Sequence, residues 1–281
     1  MRLGRGLWIF LLVGCGAPEA PQPPAEARRI VSLLPSFTEI LVELGAADRL
    51  VGCTEHCRPD REVTRVPWQG AGAAEAILRT RPDLVLRQEV RTETDPVSAA
   101  LARSGIYVLT VPSETIADVK SGILRIGGAV GKRDEAMRFV ETFNADLVRA
   151  RAGALGKDTP KVLFVFGRDQ GAVANVTAAG PGSFLDELIR FAGGRNILED
   201  LDSPYPAISL ELIVRREPQV IIDNVPGQSD PLTAWRASVL AGVPAVRDRR
   251  VFAVHDPGLL IPGPRLPAAV RRMVEMIHGP S

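Results

Sequence analysis

Histidine, cysteine and aromatic side chains are all scarce in this 281-residue chain, and each shortage removes a class of function. Three histidines are present (His56, His255 and His278), with no G-x-S-x-G, H-E-x-x-H or Walker-type glycine loop. A hydrolase elbow, a zincin site and a phosphate cradle are thereby excluded. Gly70-Ala71-Gly72-Ala73-Ala74 approaches a dinucleotide fingerprint, but its third glycine is absent and it does not directly follow a strand. No nucleophile with its base and no acid–base pair emerges, so the chain reads as a non-enzyme with no catalytic residue, resident cofactor or metal. Excess charge is missing too. The 34 basic and 33 acidic side chains leave a net +1 with no outstanding basic run, which argues against a nucleic-acid partner. Three cysteines cannot staple a chain of this size, so its stability must come from packing.

No apolar run is long enough to span a bilayer. Arg2 and Arg5 precede a short apolar segment over 7–13, then Gly14 and Cys15, the layout of a secretory signal. The cysteine after Leu12-Val13-Gly14 resembles a bacterial lipobox. That likeness implies cleavage after a signal over 1–15, diacylation of Cys15, and an exported protein anchored in the periplasm or at the cell surface. Residues 16–28 hold four prolines and no large apolar group, so they read as an extended tether. Fold reasoning begins near Arg29.

The remaining stretch alternates strands and helices. The β-branched run over 29–34 predicts a strand, and Ser36 with Glu39 has the spacing of a helix capping box, predicting a helix over 36–45. Strands follow over 50–54, 83–86 and 106–111, with a helix over 73–80, a pattern that specifies βαβ units and a parallel sheet. The second half repeats the plan with a strand over 161–166 and a helix from Ser183 to Gly193. Glu75-Ala76-Ile77-Leu78-Arg79-Thr80-Arg81-Pro82 and Glu211-Leu212-Ile213-Val214-Arg215-Arg216-Glu217-Pro218 share E-x-I-[LV]-R-x-x-P, the mark of two copies of one lobe. Helices over 116–130 and 134–155 form a spine between them. The expected organisation is an N-terminal α/β lobe over 29–114, a helical spine over 115–157 and a C-terminal α/β lobe over 158–281. Ligands of such open sheets bind beyond the carboxyl ends of the strands.

The chain has nine Phe, two Tyr and three Trp, yet Trp68 stands seven residues before Glu75 and Tyr205 six before Glu211. Two rings at corresponding loops suit a large planar or macrocyclic ligand. Trp235 reads as core. Cys53-Thr54-Glu55-His56-Cys57 admits three readings: a metal or haem ligand set, a short-loop disulfide between Cys53 and Cys57, or two small buried thiols beside a pocket histidine.

The stretches RIVSLLPSFTEILVELGAADRLVG from Arg29, Val66-Pro67-Trp68-Gln69-Gly70, Arg81-Pro82-Asp83-Leu84-Val85-Leu86 and VPAVRDRRV from Val243 resemble the cobalamin and ferric-siderophore binding proteins of ABC importers. The likeness covers about residues 29 to 272, and the SLLPSFTE and Trp-Gln-Gly segments are most similar to the vitamin B12 binders. The resemblance implies an α/β fold of two Rossmann-like lobes joined by a long spine helix, the class III substrate-binding architecture. It implies that Trp68, Tyr205, His56 and Asp256 contact a corrinoid, with Gln88 standing near where the family carries a further tryptophan. It also implies that Glu75 and Glu211 dock on an ABC permease dimer with its ATPase subunits. Haem and ferric siderophores are the alternative ligands, with a sensory binding role behind them.

Overall fold

A computed structural model describes residues 21–89, 95–224, 230–254 and 257–280. The first lobe contains β1 (Ile30–Ser32), α1 (Pro35–Glu43), β2 (Leu50–Cys53), β3 (Thr64–Arg65), α2 (Ala73–Arg79), β4 (Leu84–Gln88), α3 (Pro96–Arg103) and β5 (Tyr107–Val111). Its five strands form a parallel sheet in the order β3-β2-β1-β4-β5. The chain then passes through α4 (Ile116–Ala129) and α5 (Arg133–Arg151). The second lobe follows with β6 (Lys161–Gly167), β7 (Thr177–Ala178), α6 (Phe184–Phe191), β8 (Arg195–Asn196), α7 (Leu210–Arg216) and β9 (Val220–Asp223). It closes with α8 (Leu232–Arg236), α9 (Pro244–Arg247), β10 (Val251–Ala253) and α10 (Leu266–His278). Here the order is β10-β9-β6-β7, with β8 also paired to β6, and only the β6–β7 pairing is antiparallel.

The internal repeat is visible in the backbone. Strands β8, β6, β9 and β10 stand to one another as β2, β1, β4 and β5 do in the first sheet. The E-x-I-[LV]-R-x-x-P segments form α2 and α7, and each helix is terminated by a left-handed residue directly before its proline: Arg81 at φ 50° and Glu217 at φ 51°. A residue before proline is disfavoured in the right-handed helical region, so both helices stop one or two residues short of that point and turn into the next strand.

Strand alternation distributes the core. In β4, Leu84 and Leu86 face one side and Val85 the other; in β6, Val162 and Phe164 face one side and Leu163 and Val165 the other. The first-named side chains of both sheets join one continuous apolar layer with Phe143 and Leu147 of α5 and Met273 and Ile277 of α10. The outward sets form separate cores beneath α2 and α3 in one lobe, and around Trp235 in the other. Trp235 is fully buried, as its sequence setting predicts.

One expected cap is corrected. Pro35 opens α1, which makes Leu34 the N-cap, with no side-chain cap bond. Ser36 therefore lies inside the first turn and is buried, while Glu39 pairs with Arg265 at 2.8 Å rather than folding back on the helix start. A full capping box occurs instead at α4, where Asp118 N–H donates to Thr115 Oγ1 and Thr115 N–H to Asp118 Oδ2, each at 3.0 Å.

Candidate functional site

In the first sheet the chain runs outward from β1 in one direction to β2 and β3 and in the other to β4 and β5, so the topological switch lies between β1 and β4. A pocket of about 290 Å³ opens there, at the carboxyl ends of the strands. Its walls are Leu33, Leu34 and Pro35 after β1, Thr54 and His56 after β2, Trp68, and Arg87 and Gln88 at the end of β4. Trp68, His56 and Gln88, singled out in the sequence, thus line one cavity. Trp68 is 48% exposed while lining this pocket.

A larger cavity of about 630 Å³ shares Pro35 and His56 with this pocket and continues past Glu39, Glu55 and Asp60 to Ile261 and Arg265. His56 stands where the two spaces meet. Its ring is 70% exposed, with Nε2 3.6 Å from Glu55 Oε1. Among the described residues, no three His, Cys, Asp or Glu side chains converge to hold a metal ion.

Tyr205 does not line the 290 Å³ pocket. It packs instead on Phe166 of β6, ring centroids 5.0 Å apart and planes inclined at 49°, and both rings are more than two-fifths exposed. Burial, and then the charge of Glu114 beyond β5, raise the Tyr205 phenol above its usual pKa. Nearby, Ile116 N–H donates to Glu187 Oε2 of the second lobe at 2.8 Å. Phe166 was missed from sequence because it completes an apolar strand. The available signal is its phase: it has the parity of core residue Phe164, but β9 ends opposite Val165, so Phe166 projects past the neighbouring strand.

The disulfide reading is corrected: Cys53 and Cys57 are free buried thiols. Arg65 Nη1 donates to Cys53 Sγ at 3.1 Å, to Thr54 O at 2.8 Å and to Cys57 O at 2.9 Å, gathering the turn around both sulfurs. The hydrogen bond between the thiols, reinforced at Cys57 by Thr38 and Thr54, pulls Cys57 down to about 6 against the effect of burial and pushes Cys53 up. The pair lies beneath Thr54 and His56 rather than in the pocket wall.

Glu75 and Glu211 are exposed in the first turns of α2 and α7. Hydrogen bonds from its own backbone N–H and from Ser209 hold the Glu211 carboxyl below the usual range. Cys15 and Asp256 lie outside the described residues.

A family profile described as periplasmic binding protein matches residues 30–257. The chain belongs to the periplasmic binding protein family. These are substrate-binding transport proteins, not enzymes, and among the described residues no helix is long and apolar enough to cross a membrane. An uncharacterized ABC transporter substrate-binding lipoprotein, YvrC of Bacillus subtilis, is 30% identical over 264 residues, covering 90% of this chain and 81% of its own. The periplasmic heme-binding protein BhuT, solved with two hemes, superposes with a TM-score of 0.77 at 28% identity, over 89% of this chain and 97% of its own. The periplasmic vitamin B12 binding protein BtuF of Vibrio cholerae gives a TM-score of 0.74 at 25% identity, over 90% and 98%. This periplasmic binding protein thus shares the class III architecture of receptors for two different metal macrocycles.

Proposed function

We propose that this periplasmic binding protein takes up cobalamin or a related corrinoid in the cleft between its lobes and delivers it to an ABC permease dimer with ATPase subunits. The observation that carries this reading is the half-exposed Trp68 ring at the switch-point pocket, beside a larger cavity that shares Pro35 and His56 with it. Tyr205 with Phe166 supplies the second apolar wall, and Gln88, His56 and Asp256 supply polar contacts to the ligand periphery. Haem is the second reading, favoured by His56 at the junction of the cavities, since imidazole is a ligand for iron. A ferric siderophore remains the third ligand to test.

Purified protein is incubated with cyanocobalamin, haemin or a ferric siderophore, and the absorption spectrum is recorded after gel filtration. Retained corrinoid bands support the proposal. Retention of haemin alone, with a Soret band abolished by His56→Ala, replaces it with the second reading.

The same proposal divides the chain into a signal over 1–15, a tether over 16–28, lobes over 29–114 and 158–281, and a spine over 115–157. Cys15 carries the lipid: two acyl chains hold a protein at a membrane far better than one, so Cys15→Ser releases it to the soluble fraction. A variant that still pellets with membranes would refute the anchor. Glu75 and Glu211 offer one carboxylate from each lobe to permease arginines, where truncating one partner of a desolvated pair costs about 2–5 kcal/mol. Joint replacement of both by Ala leaves ligand affinity intact and abolishes uptake; uptake at the unmodified rate would reduce both to helix-start stabilisers.

A further inference from the structure

At equivalent places in the two sheets a buried arginine–aspartate pair stands at the cleft end, with its charges interchanged. Arg87 in β4 and Asp223 in β9 each follow the repeated helix, five residues beyond Pro82 and Pro218 respectively. Arg87 Nη2 donates to Asp95 Oδ1 at 3.0 Å and Nη1 to the Trp68 carbonyl at 2.8 Å, while Nε stands 2.6 Å from Asp95 Oδ2 as an ion-pair contact without hydrogen-bond geometry. Asp95 is itself fixed, accepting from Val97 N–H and Ser98 N–H as the N-cap of α3. A relay thus runs from α3 through two side chains to the main chain of the ring-bearing loop.

The second lobe holds the mirror of this device. Asp223 Oδ2 accepts from Arg168 Nε at 2.9 Å and Trp235 Nε1 at 2.7 Å, with both members of the ion pair fully buried. Arg168 Nη1 donates to Asp169 O at 3.0 Å and Ala172 O at 2.8 Å, pinning the turn that follows Phe166. A buried ion pair is a poor route to stability, because desolvation consumes most of what the attraction returns. Two such pairs, each tied to the backbone beside its lobe's exposed ring, therefore point to geometry.

We propose that Arg87 and Arg168 are positioning residues, which preset the Trp68 wall and the Phe166 wall before a ligand arrives. A preset wall raises affinity because ordering it is no longer charged to the binding step. The claim about affinity rests on the aromatic-cleft reading above; the claim about the Trp68 loop does not.

The test replaces the first pair as a unit, Arg87→Met with Asp95→Ser, which removes both charges and keeps a capping hydroxyl for α3. Arg87→Lys is the fallback if the double variant does not fold, since it keeps the charge but cannot hold Asp95 and the Trp68 carbonyl with one planar fork. Subtracting the emission of the matching Trp68→Ala protein isolates Trp68. The expected result without ligand is faster acrylamide quenching and lower anisotropy of Trp68, with far-UV circular dichroism unchanged. The dissociation constant for cyanocobalamin or haemin, whichever the unmodified protein retains, should rise about tenfold, and in a Trp68→Ala background the same change should add nothing. Unaltered Trp68 quenching and anisotropy in the folded variant would overturn the proposal, as would an equal loss of affinity in the Trp68→Ala background. If the unmodified protein retains neither ligand, the functional reading falls, and the fluorescence still decides whether Arg87 sets the loop.

Discussion

The two lobes share a strand order and a helix-to-strand joint, yet they build their cleft surfaces differently. In the first lobe the ring belongs to a loop, and Trp68 reaches the pocket because a cationic side chain on β4 holds the loop's carbonyl. In the second, Phe166 belongs to a strand that outruns its neighbour and is backed by Tyr205, while the strand-end charge is an aspartate. The two equivalent strand ends thus both carry a buried charge, of opposite sign, while the partners come from different connections: Asp95 opens α3 and Arg168 follows β6. What persists is the connection between sheet end and ring; the residue types that make it do not.

The pairs differ most in how completely they are buried, and that sets the largest expected effect. Asp223→Ala removes the buried carboxylate that Arg168 Nε and Trp235 Nε1 share, in a pair whose side chains have no exposure. Urea unfolding should report a loss of about 3–5 kcal/mol. Asp95→Ala, in a pair whose side chains are 8% and 16% exposed, should cost less, about 1–3 kcal/mol including the lost cap. Equal losses would erase the distinction between the lobes.

The ring walls give the next effect. Trp68→Ala should weaken ligand binding by about 1–3 kcal/mol with an almost unchanged melting temperature, because the ring is nearly half exposed in the free protein. Phe166→Ala, with Tyr205 still in place, should cost about 0.5–1.5 kcal/mol. Calorimetric titration checks both, and a greater loss at Phe166 would make the strand-borne wall the principal one.

The smallest effect is confined to the second lobe. Burial holds His278 below its usual pKa, with a contact to Ala192 O at 3.0 Å that only partly opposes it. The unfolded chain therefore takes up the proton first, near pH 6.5, so this residue's contribution is present above that pH and lost as pH falls below it. Partial exposure limits the change to about a few tenths of a kcal/mol. His278→Gln should flatten the stability curve over that interval by this amount, measured by denaturant titration at each pH.

Much of the fold was readable because it is written in local patterns. The β-branched runs at β1, β6 and β9 and the paired E-x-I-[LV]-R-x-x-P segments identify the strands, the helices and the duplication without any long-range knowledge. The N-terminus of α1 was misplaced because a proline at the first helical position outranks a serine–glutamate spacing. Short elements such as β3, β7 and β8 escaped because two residues carry no period. At the site, Trp68 stood out as a rare ring in a recognisable loop. The relay behind it could not be read, since Asp95 and Arg87 look like ordinary surface charges, and Arg168 and Asp223 lie 55 positions apart. Two small buried thiols at Cys53 and Cys57 were among the readings the sequence offered; the Arg65 contact to Cys53, made from the next strand, was not.

The apolar layer that both sheets share has a mechanical consequence. A receptor hinged on a pliable linker empties itself by swinging apart. Here any motion that pulls the sheets apart works against the apolar cluster that they share with α5 and α10, and exposing such surface costs about 25 cal/mol for each Å². Thermal breathing is thereby confined to small amplitudes, and residence time is governed by the grip of the walls. Emptying such a vessel takes work done on it from outside.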